Sequence, residues 1–235
     1  MGGSFLFDRD HHRNVADVLA ALDPTVLESA ACFFGGGTAI TLTRGEFRES
    51  DDIDFIVSDV SGYRELRSLL AGKDSLDPIL RTPVALARGV RGDQYGIRTV
   101  VSSGGVLIKF EIIHEGRIDL DPVSRGQRVC GVMALSTVDM AASKLLANDD
   151  RWADTAYHCR DLIDLAMLGA SPAELDEGLK KVTRPYPSAI RSLNRAIDHV
   201  LDDPETLAKY MRALRMDPDL YEELKSRIES LRDLR

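Results

Sequence analysis

Cysteine and aromatic residues are both scarce in this chain. Of 235 residues, three are cysteine (Cys32, Cys130, Cys159) and one is tryptophan. No two cysteines stand at C-x-x-C spacing, so neither a zinc site nor a disulfide framework is suggested, and a reducing, cytoplasmic setting is expected. No apolar run approaches the ~18 residues of a membrane-spanning helix, so no membrane partner is expected. The first residues show no basic flank leading into an apolar stretch, so no signal peptide is read there. Positive charge is also in deficit: 30 Lys and Arg stand against 38 Asp and Glu, a net of −8. Taken alone, this argues against a protein that grips nucleic acid by bulk positive charge. The deficit is uneven. Residues 1–179 hold 18 basic and 28 acidic side chains, and residues 180–235 hold 12 and 10. Contact with a polyanion would need local patches, or metal ions between acid and phosphate.

What is present suffices for a real core: 44% of residues are apolar and 29% charged. Val15, Val18, Leu19 and Leu22 at helical spacing predict an opening helix over 8–22. A short apolar run, 31–34, stops at Gly35-Gly36-Gly37 and reads as a strand entering a turn, with a short helix from Thr38. Ile53 to Val57 is a second strand, and 62–72 reads as a helix. Gly92 to Arg98 carry turn signals. After Gly104-Gly105, residues 106–113 give the strongest strand signal. The character then changes. Ser136 with Asp139 marks a helix start running to about Ala147, and a second helix is expected over 153–168. Ser171-Pro172-x-Glu174, Asp203-Pro204 and Asp217-Pro218 mark further starts. The fold class expected is α/β (α+β), with a small mixed sheet over 1–133 and about five helices over 134–235.

Two features between Phe34 and Val57 carry chemistry. Glycines after a strand let the backbone approach a phosphate, and the following helix start directs free N–H groups at it. Asp52-x-Asp54 places two carboxylates on one strand face, where they repel unless a cation stands between them. A divalent metal is the usual cation, and Mg²⁺ favours such oxygens together with substrate phosphates. Either feature alone is weak, and the pairing is much more specific.

On these residues the chain resembles the DNA polymerase β-like nucleotidyltransferase superfamily. The fuller string is similar to its AbiEii/AbiGii toxin branch: Gly36, Gly37, Thr38, Ala39 and Leu42, then Arg48, Ser50, Asp52, Ile53, Asp54 and Phe55. A later K-(V/I)-D-(I/L) strand of that family corresponds to Lys109-Phe110-Glu111-Ile112, with Glu reaching one methylene further than Asp. A Lys-bearing helix and an R-D-L-x-D-L helix correspond to Lys144-Leu145-Leu146-Ala147 and Arg160-Asp161-Leu162-Ile163-Asp164-Leu165. The resemblance implies nucleotidyl transfer from an NTP, with the helical region closing over the nucleotide cleft. Asp52, Asp54 and Glu111 would hold one or two Mg²⁺, and Glu111 would also serve as general base. Gly36, Gly37, Thr38, Arg48 and Ser50 would bind the nucleotide. Lys144 would neutralise phosphate charge, and Asp161, or secondarily Asp164, would join the site. The toxin branch implies an RNA acceptor, with tRNA foremost, and a cognate antitoxin partner.

Plainer readings stand beside these. Glu111 can be an inward carboxylate paired with Arg98 or Lys109. Arg160 and Asp164, at i,i+4, can form a surface pair, and Asp161 and Asp164 can line a solvent face. Arg81, Arg88, Arg91 and Arg98 can guide RNA or belong to an exposed loop. His11, His12, His114, His158 and His199 show no ligand spacing. The acidic balance leaves a small-molecule (antibiotic) or protein acceptor as an alternative function, and a catalytically inactive nucleotide- or partner-binding protein as another.

Overall fold

A computed structural model describes residues 7–122 and 127–234. The chain forms two compact units, Met1–Leu42 with Ser50–Ser136, and Thr43–Glu49 with Thr137–Arg235. The first contains helices α1 (Asp10–Ala21), α2 (Pro24–Ser29), α3 (Gly36–Thr43) and α4 (Val60–Leu70). Its sheet strands are β1 (Phe33–Gly35), β2 (Ile53–Val57), β3 (Ala85–Gly92), β4 (Gly96–Ser103) and β5 (Val106–His114), in the order β1-β2-β5-β4-β3. The β2–β5 pair is parallel and the others antiparallel. A small ribbon joins β6 (Arg128–Val129) to β7 (Val132–Met133). The fold is thus the mixed α/β architecture that the sequence predicts.

Alternation along β2, β4 and β5 gives the sheet two unlike faces. Ile53, Phe55, Val57, Ile108, Phe110, Ile112, Ile97 and Val101 are buried on one face. Phe34, Phe55 and Phe110 form a line of tilted rings with centroids 5.6 and 5.7 Å apart, a geometry that adds to their area burial. Between these residues stand Asp54, Lys109, Glu111 and Arg98 on the other face. At Gly104-Gly105, φ values of +56° and +79° make the tight β4–β5 hairpin turn, which only glycine enters without cost.

Strands β3 and β4 are missed by the sequence reading. Residues 85–92 contain two arginines and two glycines, and two register shifts interrupt the period of two. The turn signals over 92–98 belong to the β3–β4 connection, where the Asp93 carboxylate accepts from the Tyr95 and Gly96 amides. Helix α2 is also missed. It is six residues long, too short for a periodic signal, although Asp23 caps it and Pro24 opens it.

The second unit contains α5 (Thr137–Arg151), α6 (Arg160–Met167), α7 (Pro172–Thr183), α8 (Ala189–Leu201), α9 (Pro204–Ala213) and α10 (Tyr221–Ser230), six helices rather than about five. The capping box at Ser171 and Glu174 forms as expected. Gly178 allows α7 to lie close on α5, since a methyl there would stand 3.0 Å from both Ala141 Cβ and the Val138 carbonyl. The continuous helix expected over 153–168 does not form. Asp154 caps a single 3-10 turn, and His158 and Cys159 take left-handed backbone (φ 52° and 47°) before α6 begins. Among the described residues no helix is long and apolar enough to cross a membrane.

The three-ring line in the sheet unit predicts that Phe55→Ala destabilises the protein by about 3–5 kcal/mol, from lost burial plus the cavity left behind. Urea unfolding would register this as a lower midpoint. An unchanged midpoint would show that the ring line does not organise the core.

Candidate active site

The β1–α3 turn and the β2 strand are built around one close approach. Gly35 is the register partner of Asp54, and Gly36 follows with φ +69°. A Cβ on Gly36 would lie 2.5 Å from Asp54 Oδ2, so the missing side chain is what admits the carboxylate. Gly36 and Gly37 open α3, and their backbone N–H groups belong to the helix turn that has no intrahelical acceptors. Thr38 is buried, and its hydroxyl donates to the Asp52 carbonyl (2.5 Å). Having used its one proton there, it accepts from the Ser50 hydroxyl at 2.8 Å. The Ser50 amide in turn donates to His12 Nε2 at 3.2 Å, a support that the lone histidine did not signal. Thr38, Ser50 and Asp52 thus form one hydrogen-bonded strut.

Asp54 is the register partner of Glu111 on β5, and Glu111 of Arg98 on β4. The structure therefore places Asp54 and Glu111 side by side, with Asp52 two residues before Asp54. Glu111 is held by Arg98 (3.0 Å) and Lys109 (2.5 Å), so both plainer pairings form. Burial disfavours the Lys109 ammonium, but the hydrogen bond and charge of Glu111, with the charges of Asp52 and Asp54, outweigh it and raise its pKa above the ordinary value. Lys109 is thus a cation paired with Glu111 that also feels the charge of Asp52 and Asp54. Among the described residues no three His, Cys, Asp or Glu side chains already converge as a metal cage. The donor set nevertheless fits a hard divalent cation: Asp54 and Glu111 lie on adjacent strands, and Asp52, expected on the same strand face, stands just before β2 instead.

Lys144, Asp161, Asp164 and Arg48 come together in the second unit. Asp164 is fully buried and Arg48 is 3% exposed. Arg48 forks onto Asp164 through Nε (2.6 Å) and Nη2 (2.8 Å), and its Nη1 donates to the Glu49 carbonyl. Lys144 Nζ bridges Asp161 (3.0 Å) and Asp164 (2.7 Å). Arg151 grips Asp161 at 2.7 and 2.9 Å. Arg48, expected among the nucleotide-binding residues, has its guanidinium engaged here. The solvent-face reading of Asp161 and Asp164 fails, because three cations compensate their burial. The i,i+4 pair with Arg160 also fails: Arg160 lies over the Tyr157 ring instead, at 5.3 Å. Burial drives the carboxyls of Asp161 and Asp164 upward. For Asp161, Lys144 and Arg151 reverse this; for Asp164, Arg48 and Lys144 do. Both pKa values end below the ordinary 3.8. Arg151 was not anticipated. It lies seven residues after Lys144, two helical turns on, and that spacing is the signal that could have found it.

A strand, a glycine turn opening a helix, and carboxylates aligned across a mixed sheet define a nucleotidyltransferase architecture. Residues 17–233 match the family model described as nucleotidyl transferase AbiEii toxin, type IV toxin–antitoxin system. The chain belongs to that family and is a nucleotidyltransferase of a toxin–antitoxin class. Two solved Helicobacter pylori structures share the fold. One is a protein assigned as a nucleotidyltransferase, with 16% identity and a TM-score of 0.53, covering 97% of this chain and 96% of that one. The other, JHP933, has 18% identity and a TM-score of 0.52, covering 95% and 93%. No protein with a curated description matches.

The buried ion network yields a pH prediction. Both carboxyls have native pKa values below the unfolded 3.8. Their stabilisation is therefore present above about pH 4 and drains as pH falls below it, where the native state must take up protons. Asp164→Asn should cost about 3–5 kcal/mol at pH 7 by leaving Arg48 and Lys144 underpaired in the interior. Chemical denaturation from pH 7 to pH 3 should show the gap between variant and parent narrowing below pH 4; a constant gap would refute the network's role.

Proposed function

We propose that this nucleotidyltransferase transfers a nucleotidyl group from an NTP to an RNA acceptor of the tRNA class, with Mg²⁺ at the carboxylates. The observation that carries the reading is the alignment of Asp54 with Glu111 across the β2–β5 ladder, beside the glycine turn. Asp52, Asp54 and Glu111 are the residues that would hold one or two ions. When bound, Mg²⁺ would supply charge neutralisation at the attacking and leaving oxygens. The backbone amides of Gly36 and Gly37 orient the triphosphate, with the Ser50 hydroxyl swinging from Thr38 to a phosphate oxygen. Glu111 takes the proton of the attacking hydroxyl, which requires it to exchange Lys109 or Arg98 for the substrate. The hydroxyl oxygen bonds to the α-phosphorus, the α–β bridging bond breaks, and pyrophosphate leaves. Lys144 and Asp161 enter the reading from the family pattern, Lys144 as a phosphate-neutralising cation and Asp161 as its partner. A cognate antitoxin is the expected protein partner.

The test is incubation of purified protein with Mg²⁺ and each labelled NTP in turn, against total RNA, a protein extract and aminoglycosides. A labelled band at tRNA size is expected. Label confined to protein or to the antibiotic would move the reading to those acceptors. Asp52→Asn and Asp54→Asn should each reduce transfer by about 10³-fold with little change in melting temperature. Gly36→Ala should reduce it by about tenfold or more, because its methyl displaces the Asp54 carboxylate. Transfer persisting in both aspartate variants would sink the assignment.

A further inference from the structure

The carboxylate row does not end at Glu111. Register partners run across the whole sheet as Gly35, Asp54, Glu111, Arg98 and Arg91. On the β3–β4–β5 side lies a cavity of about 390 Å³ lined by Arg88, Arg91, Arg98 and Lys109 together with Asp93 and Glu111. Both acids are already engaged, Glu111 by Arg98 and Lys109 and Asp93 by Arg98 at 3.2 Å. Neither the Arg88 nor the Arg91 guanidinium has an ion-pair or hydrogen-bond partner among the described residues. The cavity thus has four cations against two carboxylates.

This arrangement gathers positive charge on one face, with Arg88, Arg91 and Arg98 all exposed and open to an anion. Arg91 stands directly opposite Arg98, and like charges so placed destabilise a sheet. Arg88 and Arg91 are three residues apart, which in a regular strand would send them to opposite faces. The register shift between them brings both to the face of Arg98 and Lys109, the re-aiming that a bulge produces. At the turn that follows, Tyr95 is 65% exposed, an aromatic surface on which a base can stack.

We propose that this cavity binds the phosphodiester backbone of a single-stranded RNA acceptor. The inference rests on the RNA reading above and adds where the RNA lies. The glycine turn that would take the donor triphosphate flanks the carboxylates on the β1 side. The arginines flank them on the β4–β3 side. An in-line displacement brings the attacking and leaving groups from opposite sides of the phosphorus, so the arginine flank is the acceptor's.

The test measures binding of a fluorescein-labelled single-stranded oligoribonucleotide to the full chain by anisotropy across a KCl series, with NTP binding followed by calorimetry. Arg88→Gln/Arg91→Gln should weaken RNA binding at least tenfold at low salt. It should also flatten the slope of log K against log salt by about 1.4, two phosphate contacts at about 0.7 each for a single strand. NTP affinity should stay within twofold. Arg91→Lys should keep the slope, and Tyr95→Ser should lower affinity by about fivefold or more at unchanged slope. Parental affinity and slope in the double variant would remove this cavity from the RNA site while leaving the RNA reading intact. Loss of NTP binding with RNA binding preserved would overturn the proposal by assigning the cavity to the donor. A parent protein that binds no RNA would overturn both.

Discussion

The register between β2 and β5 is the constraint on which the sheet unit depends. Because side chains alternate, a slip of one residue would turn Asp54 and Glu111 into the core and Phe55 and Phe110 out of it. The apolar face makes that slip prohibitive: Ile53, Phe55, Phe110 and Ile112 are completely buried, and the phenylalanine rings contact one another. Hydrophobic burial on one face therefore fixes the position of charge on the other. The parallel ladder places Glu111 beside Asp54, and the antiparallel β1–β2 pair places Gly35 on the other side of Asp54. The glycine turn and the carboxylates are in this sense one structural decision.

The helical unit manages charge differently. Asp164 is completely buried, and Asp161 and Lys144 nearly so. Such groups are expensive to remove from water, and only dense mutual pairing offsets the cost. Two aspartates meet Arg48, Lys144 and Arg151, with bidentate geometry at both arginines. In the sheet unit, by contrast, Lys109 and Arg98 are about half exposed beside Glu111. Exposed partners can exchange with a ligand, whereas buried ones hold a shape. The two units thus hold their carboxylates in different ways, one beside half-exposed cations and the other within a buried network.

Much of this was legible in the sequence, and the failures share a cause. The β1 turn, β2, β5 and the capped α7 could be read because each carries a local signal: glycines, alternation, or Ser-Pro-x-Glu. Asp52 and Asp54 stand out by their spacing beside the glycine turn and Glu111 only by resemblance, while the pairing of Asp54 with Glu111 is what the fold adds. Strand β3 could not be read, because its register shifts erase the period that identifies a strand. The break before α6 could not, because left-handed backbone at His158 and Cys159 is uncommon for non-glycine residues and leaves no local signal. Asp161 and Asp164 looked like a solvent face because their compensating cations come from distant positions, Arg48 lying 116 residues before Asp164. Ion pairs of that kind are written in the fold and not in any window of sequence.

The net charge of −8 argued at first against a polyanion as partner. Bulk charge, however, sets the field far from the surface, and salt screens that field over about a Debye length, ~8 Å at physiological ionic strength. Within the cavity the local balance has the opposite sign, with Arg88 and Arg91 free of carboxylate partners among the described residues. An acidic chain with a locally basic cavity would have a functional consequence. It would weaken non-specific attachment to long nucleic acids, whose affinity scales with the number of phosphates contacted, while leaving local attraction of an anion to the cavity.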